Sequence, residues 1–305
     1  MAPSPTFDTL IQHSGLSRAE ARRLLALIIR RPLTWLIAHG DAPVPPDIIG
    51  RFQDLAARRH AGEPLAYLLG QQAFYGRDYA VSPAVLIPRA DTETLIEQAL
   101  QCLRPLASPQ AARSPDVLEL GTGSGIIAIT LALECPTIQM HALEQSGAAL
   151  AVAQRNAATW QAKNIHWYQG NWWQALANPL LPASAATGQR FALIVANPPY
   201  IAAHDPHLEQ GDLRFEPAQA LVGGPDGLDD LRTIIQGAPG HLHPDGWLLL
   251  EHGYDQADAV QALLHTAGFT RIFTQPDLGG QPRVSGGQYR PGPPQPPMAA
   301  PGNTP

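Results

Sequence analysis

Two hydrophobic rhythms divide this chain. Up to about residue 70 the apolar positions recur at helical spacing. Ser17-Arg18-Ala19-Glu20 fits a capping box, Ala21, Leu24, Leu25 and Ile28 follow on one face, and Pro32 stops the run. A second helix is predicted from about residue 47 to 60, with Ile48, Phe52, Leu55 and Ala56 facing inward and Gly62 closing it. Its arginines, Arg51, Arg58 and Arg59, read as a solvated face. Between residues 72 and 88 the period shortens: Phe74-Tyr75 and Tyr79-Ala80-Val81 flank Gly76-Arg77-Asp78 as a hairpin, and Val85-Leu86-Ile87-Pro88 reads as extended chain. A helix starting near Asp91 or Thr92 carries Leu95, Ile96, Ala99, Leu100 and Leu103 inward, and residues 105–115 read as a linker.

From Asp116 onward short apolar runs alternate with helical patterns, which is the signature of an α/β fold with a parallel sheet. Strands are predicted at 117–120, 140–144, 165–168, 191–196, 247–251 and about 270–275, with a last strand near 283–289 pairing with the sixth. Helices are predicted at 126–134, 147–159, 228–240 and 255–267. Residues 290–305, rich in Pro, Gly and Ala, cannot bury apolar surface and read as a disordered tail.

Composition narrows the class. The 305 residues are 45% hydrophobic and 15% charged, which suits a globular protein with a substantial core. The net charge is -6 and Lys163 is the one lysine among 20 basic residues, so long-range attraction to nucleic acid is not expected. Cys102 and Cys135 form no framework, which fits a reducing, cytoplasmic setting. The apolar stretch 24–29 lies between arginines and falls short of the roughly 20 residues of a membrane span, and no signal peptide is read. No metal site is expected.

Two motifs carry chemistry. Val117-Leu118-Glu119-Leu120 runs into Gly121-Thr122-Gly123-Ser124-Gly125 and then into a helix, a tight turn that lets backbone approach a ligand. The next strand ends in Glu144, about twenty residues on, where a carboxylate can accept both hydroxyls of a ribose. That pair alone fits either a dinucleotide or S-adenosylmethionine. Glu119 favours the latter, because a carboxylate beside the turn suits an amino acid moiety and repels a pyrophosphate. Gly170-Asn171-Trp172 follows the third strand, where Trp172 would cover adenine and Trp173 is structural.

The second motif is Asn197-Pro198-Pro199-Tyr200, directly after the apolar run at 191–196. Prolines have no N–H and a fixed φ, so the loop rigidly presents acceptors and an aromatic ring. Such a loop suits a planar NH2 group: the Asn197 side-chain oxygen and the Pro198 carbonyl would hold its hydrogens, and Tyr200 would pack on its face. An amide nitrogen is a poor nucleophile, so orientation and stabilisation of developing positive charge are what the site can supply. His204 and His207 nearby read as loop residues. The tetrapeptide by itself does not separate an adenine or guanine amino group from a glutamine side chain.

Further segments resemble the peptide-chain release factor N(5)-glutamine methyltransferase family. These are Gly62-Glu63-Pro64-Leu65-Ala66-Tyr67-Leu68-Leu69-Gly70, Phe74-Tyr75-Gly76, Leu86-Ile87-Pro88-Arg89 with Asp91-Thr92-Glu93 (the family's IPRPETE, with Ala90 and Asp91 as departures), Phe215-Glu216-Pro217, Ala220-Leu221, Asp226-Gly227-Leu228 and Arg283-Val284. The likeness covers roughly residues 15 to 288. It implies a Rossmann-like class I methyltransferase with a seven-stranded, mostly parallel sheet at 116–289. A small helical substrate-docking domain at 1–70 and a β-hairpin linker at 71–115 would precede it. It further implies S-adenosylmethionine held by Gly121 to Gly125, Glu144, Trp172 and Asn197, and a glutamine of the Gly-Gly-Gln tripeptide of release factors 1 and 2 held by Asn197, Pro198, Pro199 and Tyr200. Glu119 stands where the family usually has Asp. A monomer acting without nucleic acid or membrane is the expectation. Rivals are an N6-adenine or N2-guanine nucleic-acid methyltransferase, which would bring a basic, aromatic-rich extension, and a ribosomal-protein glutamine methyltransferase. Gly279-Gly280-Gln281 and Gly286-Gly287-Gln288 also spell the tripeptide and read as turns of a terminal hairpin.

Overall fold

A computed structural model describes residues 4–106, 114–176 and 189–291. The expected tail beyond 291 and most of the expected linker lie outside these residues.

Five helices open the chain: α1 (Phe7–Gln12), α2 (Arg18–Ile29), α3 (Leu33–Ala38), α4 (Pro46–His60) and α5 (Leu65–Leu69). The capping box forms at α2. Ser17 Oγ accepts from Glu20 N while the Glu20 carboxylate accepts from Ser17 N, satisfying two otherwise orphaned donors. Ala21, Leu24, Leu25 and Ile28 pack with Phe7, Leu36 and Phe52 in a small core of their own. Ile48 and Leu55 of α4 are only partly covered. The arginines of α4 are less free than expected. Arg51 is exposed, but Arg58 pairs with Glu63 through two bonds of 2.7 and 2.6 Å. Arg59 pairs with Glu20 at 2.8 Å and lies 3.6 Å from Asp212 of a distant loop, which ties the bundle to the rest of the molecule.

The hairpin pairs β1 (Gln71–Phe74) with β2 (Arg77–Ala80). Its turn is Tyr75-Gly76, one residue earlier than expected; both residues have positive φ, 48° and 72°, as a two-residue hairpin turn requires. Residues 85–88 pair with no strand. Instead Val85 O accepts from Tyr67 Oη at 2.7 Å, and Ile87 N donates to Glu216 Oε2 at 2.9 Å. Arg89 forms an ion pair with the other oxygen of Glu216, whose side chain is fully buried. One buried carboxylate thus clamps this segment across the molecule.

A 3-10 turn, Ala90–Thr92, leads into α6 (Glu93–Leu103). The remaining elements are β3 (Asp116–Leu120), α7 (Ile126–Glu134), β4 (Gln139–Glu144), α8 (Gly147–Trp160), β5 (Ile165–Gln169), α9 (Trp172–Leu176), β6 (Phe191–Ala196), α10 (Asp229–His241), β7 (Leu242–Glu251), α11 (Ala257–Thr266), β8 (Phe269–Pro276) and β9 (Pro282–Tyr289). The seven strands are ordered β5-β4-β3-β6-β7-β9-β8, and β9 alone runs opposite to the other six.

The central strands are apolar on both sides because helices cover both faces. Val117, Leu193 and Val195 face α6 and α7, packing with Leu95, Ile96 and Ile129. Leu118, Leu120, Ile194 and Ala196 face α10 and α11, packing with Ile234 and Leu264. Strand order reverses between β3 and β6, and in open α/β sheets a ligand crevice lies at that reversal, beyond the carboxyl ends of the strands. No helix among the described residues is long and apolar enough to cross a membrane.

Candidate active site

A cavity opens at that switch point. It is lined by residues from the tips of β3, β4, β5 and β6 and is roofed by 84–89 and 217–220, the two segments that Glu216 clamps together.

The first wall is the turn after β3. Gly121, Thr122, Gly123 and Ser124 line the cavity. Gly125 does not: it precedes α7 at φ 85°, and a Cβ there would meet Ala153 Cβ at 3.1 Å, so its role is helix packing. Glu119 lines the cavity from beneath the turn and is fully buried. Its Oε2 accepts from Thr122 Oγ1 at 2.6 Å and Ala128 N at 3.0 Å, while Oε1 has no partner. Burial pushes this carboxyl up to about 8, against the two hydrogen bonds that favour its charged form. An unpartnered buried carboxylate oxygen on a cavity wall fits a cationic ligand group such as the ammonium of an amino acid moiety.

Glu144, at the tip of β4, accepts from Gly123 N at 2.8 Å through Oε2 and from Ser146 N at 2.8 Å through Oε1. The carboxylate is therefore held by two loops and faces the same cavity. Trp172 lies with its ring against Gly121, and its Nε1 donates to Asp230 Oδ1 at 3.1 Å. Both residues line the cavity, and burial raises the Asp230 carboxyl.

Asn197 and Pro199 come in from the tip of β6. Asn197 Nδ2 donates to Thr92 Oγ1 at 3.3 Å. Pro198 and Tyr200 do not line the cavity. Pro198 is buried, and the Tyr200 ring packs toward the α10–α11 side of the sheet, with its hydroxyl 3.4 Å from Glu251 Oε1. Burial and the nearby Glu251 push the Tyr200 phenol well above its usual range. The loop is held by close backbone contact: Ile201 N donates to Leu221 O and Gly223 N to Ile201 O, both at 2.9 Å. A Cβ at Gly227, where φ is 76°, would fall 2.3 Å from Tyr200 O, which accounts for glycine in the Asp226-Gly227-Leu228 segment. His204 and His207 stay outside the cavity, and His207 pairs with Asp205 on the surface.

Sequence reasoning gave no role to Thr92, Asp230 or Glu251. Glu251 carried a usable signal, since it ends the apolar run of β7 as Glu144 ends that of β4. Thr92 stood in the Asp91-Thr92-Glu93 segment without a role of its own and Asp230 had no signal, because each meets its partner only through the fold. Of the two internal tripeptides, Gln288 is buried and donates to Asp245 O at 2.9 Å, and Gln281 lies at the β8–β9 turn.

This strand order, the glycine turn and the carboxylate at the second strand tip define a class I S-adenosylmethionine-dependent methyltransferase. The solved hMettl16 catalytic domain, in complex with the MAT2A 3′UTR hairpin 1, has this fold: TM-score 0.52 at 15% identity, over 80% of this chain and 84% of that one. Two family models match, PrmC N-terminal domain over residues 7–70 and methyltransferase small domain over 94–221. Proteins named release factor glutamine methyltransferase are similar over nearly the whole length. The one from Xylella fastidiosa is 46% identical over 94% of this chain and 98% of its own, and the one from Bordetella pertussis is 49% identical over 91% and 97%. The chain belongs to the release factor glutamine methyltransferase family, and it is an enzyme.

Proposed function

We propose that this enzyme methylates the side-chain amide nitrogen of the glutamine in the Gly-Gly-Gln tripeptide of peptide-chain release factors, and so modulates translation termination. The observation that carries this reading is that Asn197 stands on the same cavity wall system as Glu119 and Glu144. An acceptor for a planar amide thus adjoins a site suited to a zwitterionic nucleoside.

S-adenosylmethionine supplies an electrophilic methyl group. The protein's part is binding and orientation. Glu119 Oε1 would hold the amino acid ammonium, Glu144 the ribose hydroxyls, and Trp172 the adenine. Asn197 Oδ1 and the Pro198 carbonyl would take the two amide hydrogens, aim the nitrogen lone pair at the methyl carbon and stabilise the charge that develops on nitrogen. Transfer held in this way would form the N–C bond as the C–S bond breaks, with the electron pair leaving on sulfur and the proton shed by nitrogen passing to solvent. Tyr200 would pack on the amide plane.

Label transfer from S-adenosylmethionine tests the reading. Label is expected on release factor, and none on a factor whose tripeptide glutamine is alanine or on duplex DNA. Label on DNA with none on the factor would overturn it.

Glu119 adds a pH signature. Below about 8 this carboxyl is largely protonated in the free protein. An ammonium on Oε1 favours the charged form, so cofactor binding releases a proton and affinity rises with pH up to about 8. Calorimetry in buffers of differing ionisation enthalpy is expected to show that release in the wild type and not in Glu119→Gln. Equal proton release in both would place the ammonium elsewhere.

A further inference from the structure

Two residues of the Asn197-Pro198-Pro199-Tyr200 loop have no N–H to donate. The loop must therefore be fastened largely through its carbonyls, and a carbonyl needs a donor brought from elsewhere in the chain. At its first end the loop leaves β6, whose last residue, Ala196, pairs with Leu120 of β3 and Leu250 of β7. At its second end three backbone segments crowd together. A Cβ at Gly223 would fall 2.4 Å from Pro199 O and 2.8 Å from Gly227 O, and one at Gly227 would fall 2.3 Å from Tyr200 O. Carbonyls brought this close to one another need donors in the space they share.

Gln256, at the start of α11, supplies them. Its Nε2 donates to Tyr200 O at 2.9 Å and to Gly227 O at 3.3 Å, while its Oε1 accepts from Gly253 N at 2.9 Å. All three partners are backbone groups. A carbonyl only accepts and an N–H only donates, so the orientation of this amide follows from its partners. Among side chains only a carboxamide carries an NH2 and an acceptor oxygen side by side. The main chain of Gln256 is anchored as well: its N donates to Gly253 O and its carbonyl accepts from Val260 N, both at 3.0 Å.

The tie bears on the chemistry because the loop is stiff. Pro198 and Pro199 have fixed φ, so a shift at Tyr200 O is passed back along the loop instead of being absorbed on the way. It reaches the Pro198 carbonyl and Asn197, the two acceptors assigned to the substrate amide. Gln256 itself lines no part of the cofactor cavity.

We propose that Gln256 is a positioning residue for methyl transfer: by joining Tyr200 O to Gly227 O and to the turn at Gly253, it fixes the far end of the loop and with it the place of the two acceptors that take the amide hydrogens. The proposal rests on the methyl-transfer reading given above. It also explains the residue type. Ser, Thr, Asp or Asn would cap α11 better than Gln, and the Gln256 side chain makes no capping bond.

The test compares wild type, Gln256→Glu and Gln256→Met in single-turnover transfer from S-adenosylmethionine to release factor, at neutral pH and saturating cofactor. Gln256→Glu keeps the shape of the side chain and an acceptor for Gly253 N, but turns a carboxylate oxygen toward two carbonyls. Gln256→Met keeps the length and has no donor. Both are expected to lose about tenfold to a hundredfold in rate, as a displacement of up to about 1 Å at the reacting groups does. The Kd for S-adenosylhomocysteine is expected to stay close to the wild-type value. A wild-type rate in either variant overturns the proposal. So does a loss of rate matched by an equal loss of cofactor affinity, which would mark a general loosening of the fold.

Hydrogen exchange supplies a measurement that needs no acceptor. Ile201 N and Gly223 N, which close the second end of the loop, are expected to exchange faster in Gln256→Glu than in wild type. Gly123 N and Ser146 N, both bonded to Glu144, are expected to exchange alike in the two proteins. Equal exchange at Ile201 and Gly223 overturns the proposal. Faster exchange there, with release factor left unlabelled by the wild type, would strike the functional reading and leave the tie standing.

Discussion

Asn197→Ala is expected to lower methyl transfer at least about a hundredfold, within the roughly 10²–10³ range found on removing one transition-state hydrogen-bond donor or acceptor. The reason is the weakness of the nucleophile. An amide lone pair is delocalised into the carbonyl, so reaction needs the nitrogen held in line with the methyl group and its growing charge met by fixed acceptors. Asn197 supplies one of the two acceptors, on a loop stiffened by two prolines and fastened by Ile201 and Gly223. The residue is half-buried and makes one side-chain bond of 3.3 Å, so the variant should fold with little change in thermal midpoint. Cofactor affinity should shift far less than the rate. Asn197→Asp keeps acceptors and should retain more activity than alanine. A near-normal single-turnover rate for Asn197→Ala would mean that the Asn197-Pro198-Pro199-Tyr200 loop does not hold the acceptor.

What could be read from the chain follows how local the determining forces are. β6 and α7 were expected at 191–196 and 126–134 and are found there, because each is an apolar run between strong stops. α1, α3, α5 and α9, of five or six residues each, are too short to display a helical period and were not anticipated. The site divides in the same way. Glu119, Glu144 and Asn197 sit at strand tips, and a strand tip is visible as the end of an apolar run. The contacts that complete the site are not visible: Asn197 meets Thr92 across 105 residues, Ile87 meets Glu216 across 129, and Trp172 meets Asp230 across 58. Tyr200 adds another such contact: its half-buried ring packs on the core and its hydroxyl lies 3.4 Å from Glu251 Oε1, across 51 residues.

Glu144→Ala is expected to weaken cofactor binding by about two orders of magnitude. A carboxylate has about four lone-pair sites, and the described bonds, from Gly123 N and Ser146 N, occupy two. The remaining two match the two hydroxyls of a ribose. Hydrogen bonds to charged groups contribute about 1.5–3 kcal/mol each, so losing a pair at the lower figure corresponds to about a hundredfold in Kd. The same substitution frees Gly123 N, which loosens the turn that other cofactor atoms would touch, so the loss should exceed that of either bond alone. Once cofactor is saturating, the methyl-transfer rate should recover toward wild type, because Glu144 does not touch the reacting nitrogen. That separation distinguishes it from Asn197: one variant is rescued by more cofactor and the other is not. Titration calorimetry with S-adenosylhomocysteine reads the affinity directly. An unchanged Kd would place the ribose elsewhere in the cavity, and an unrescued rate would mean that Glu144 acts on the glycine turn's geometry rather than on the ribose.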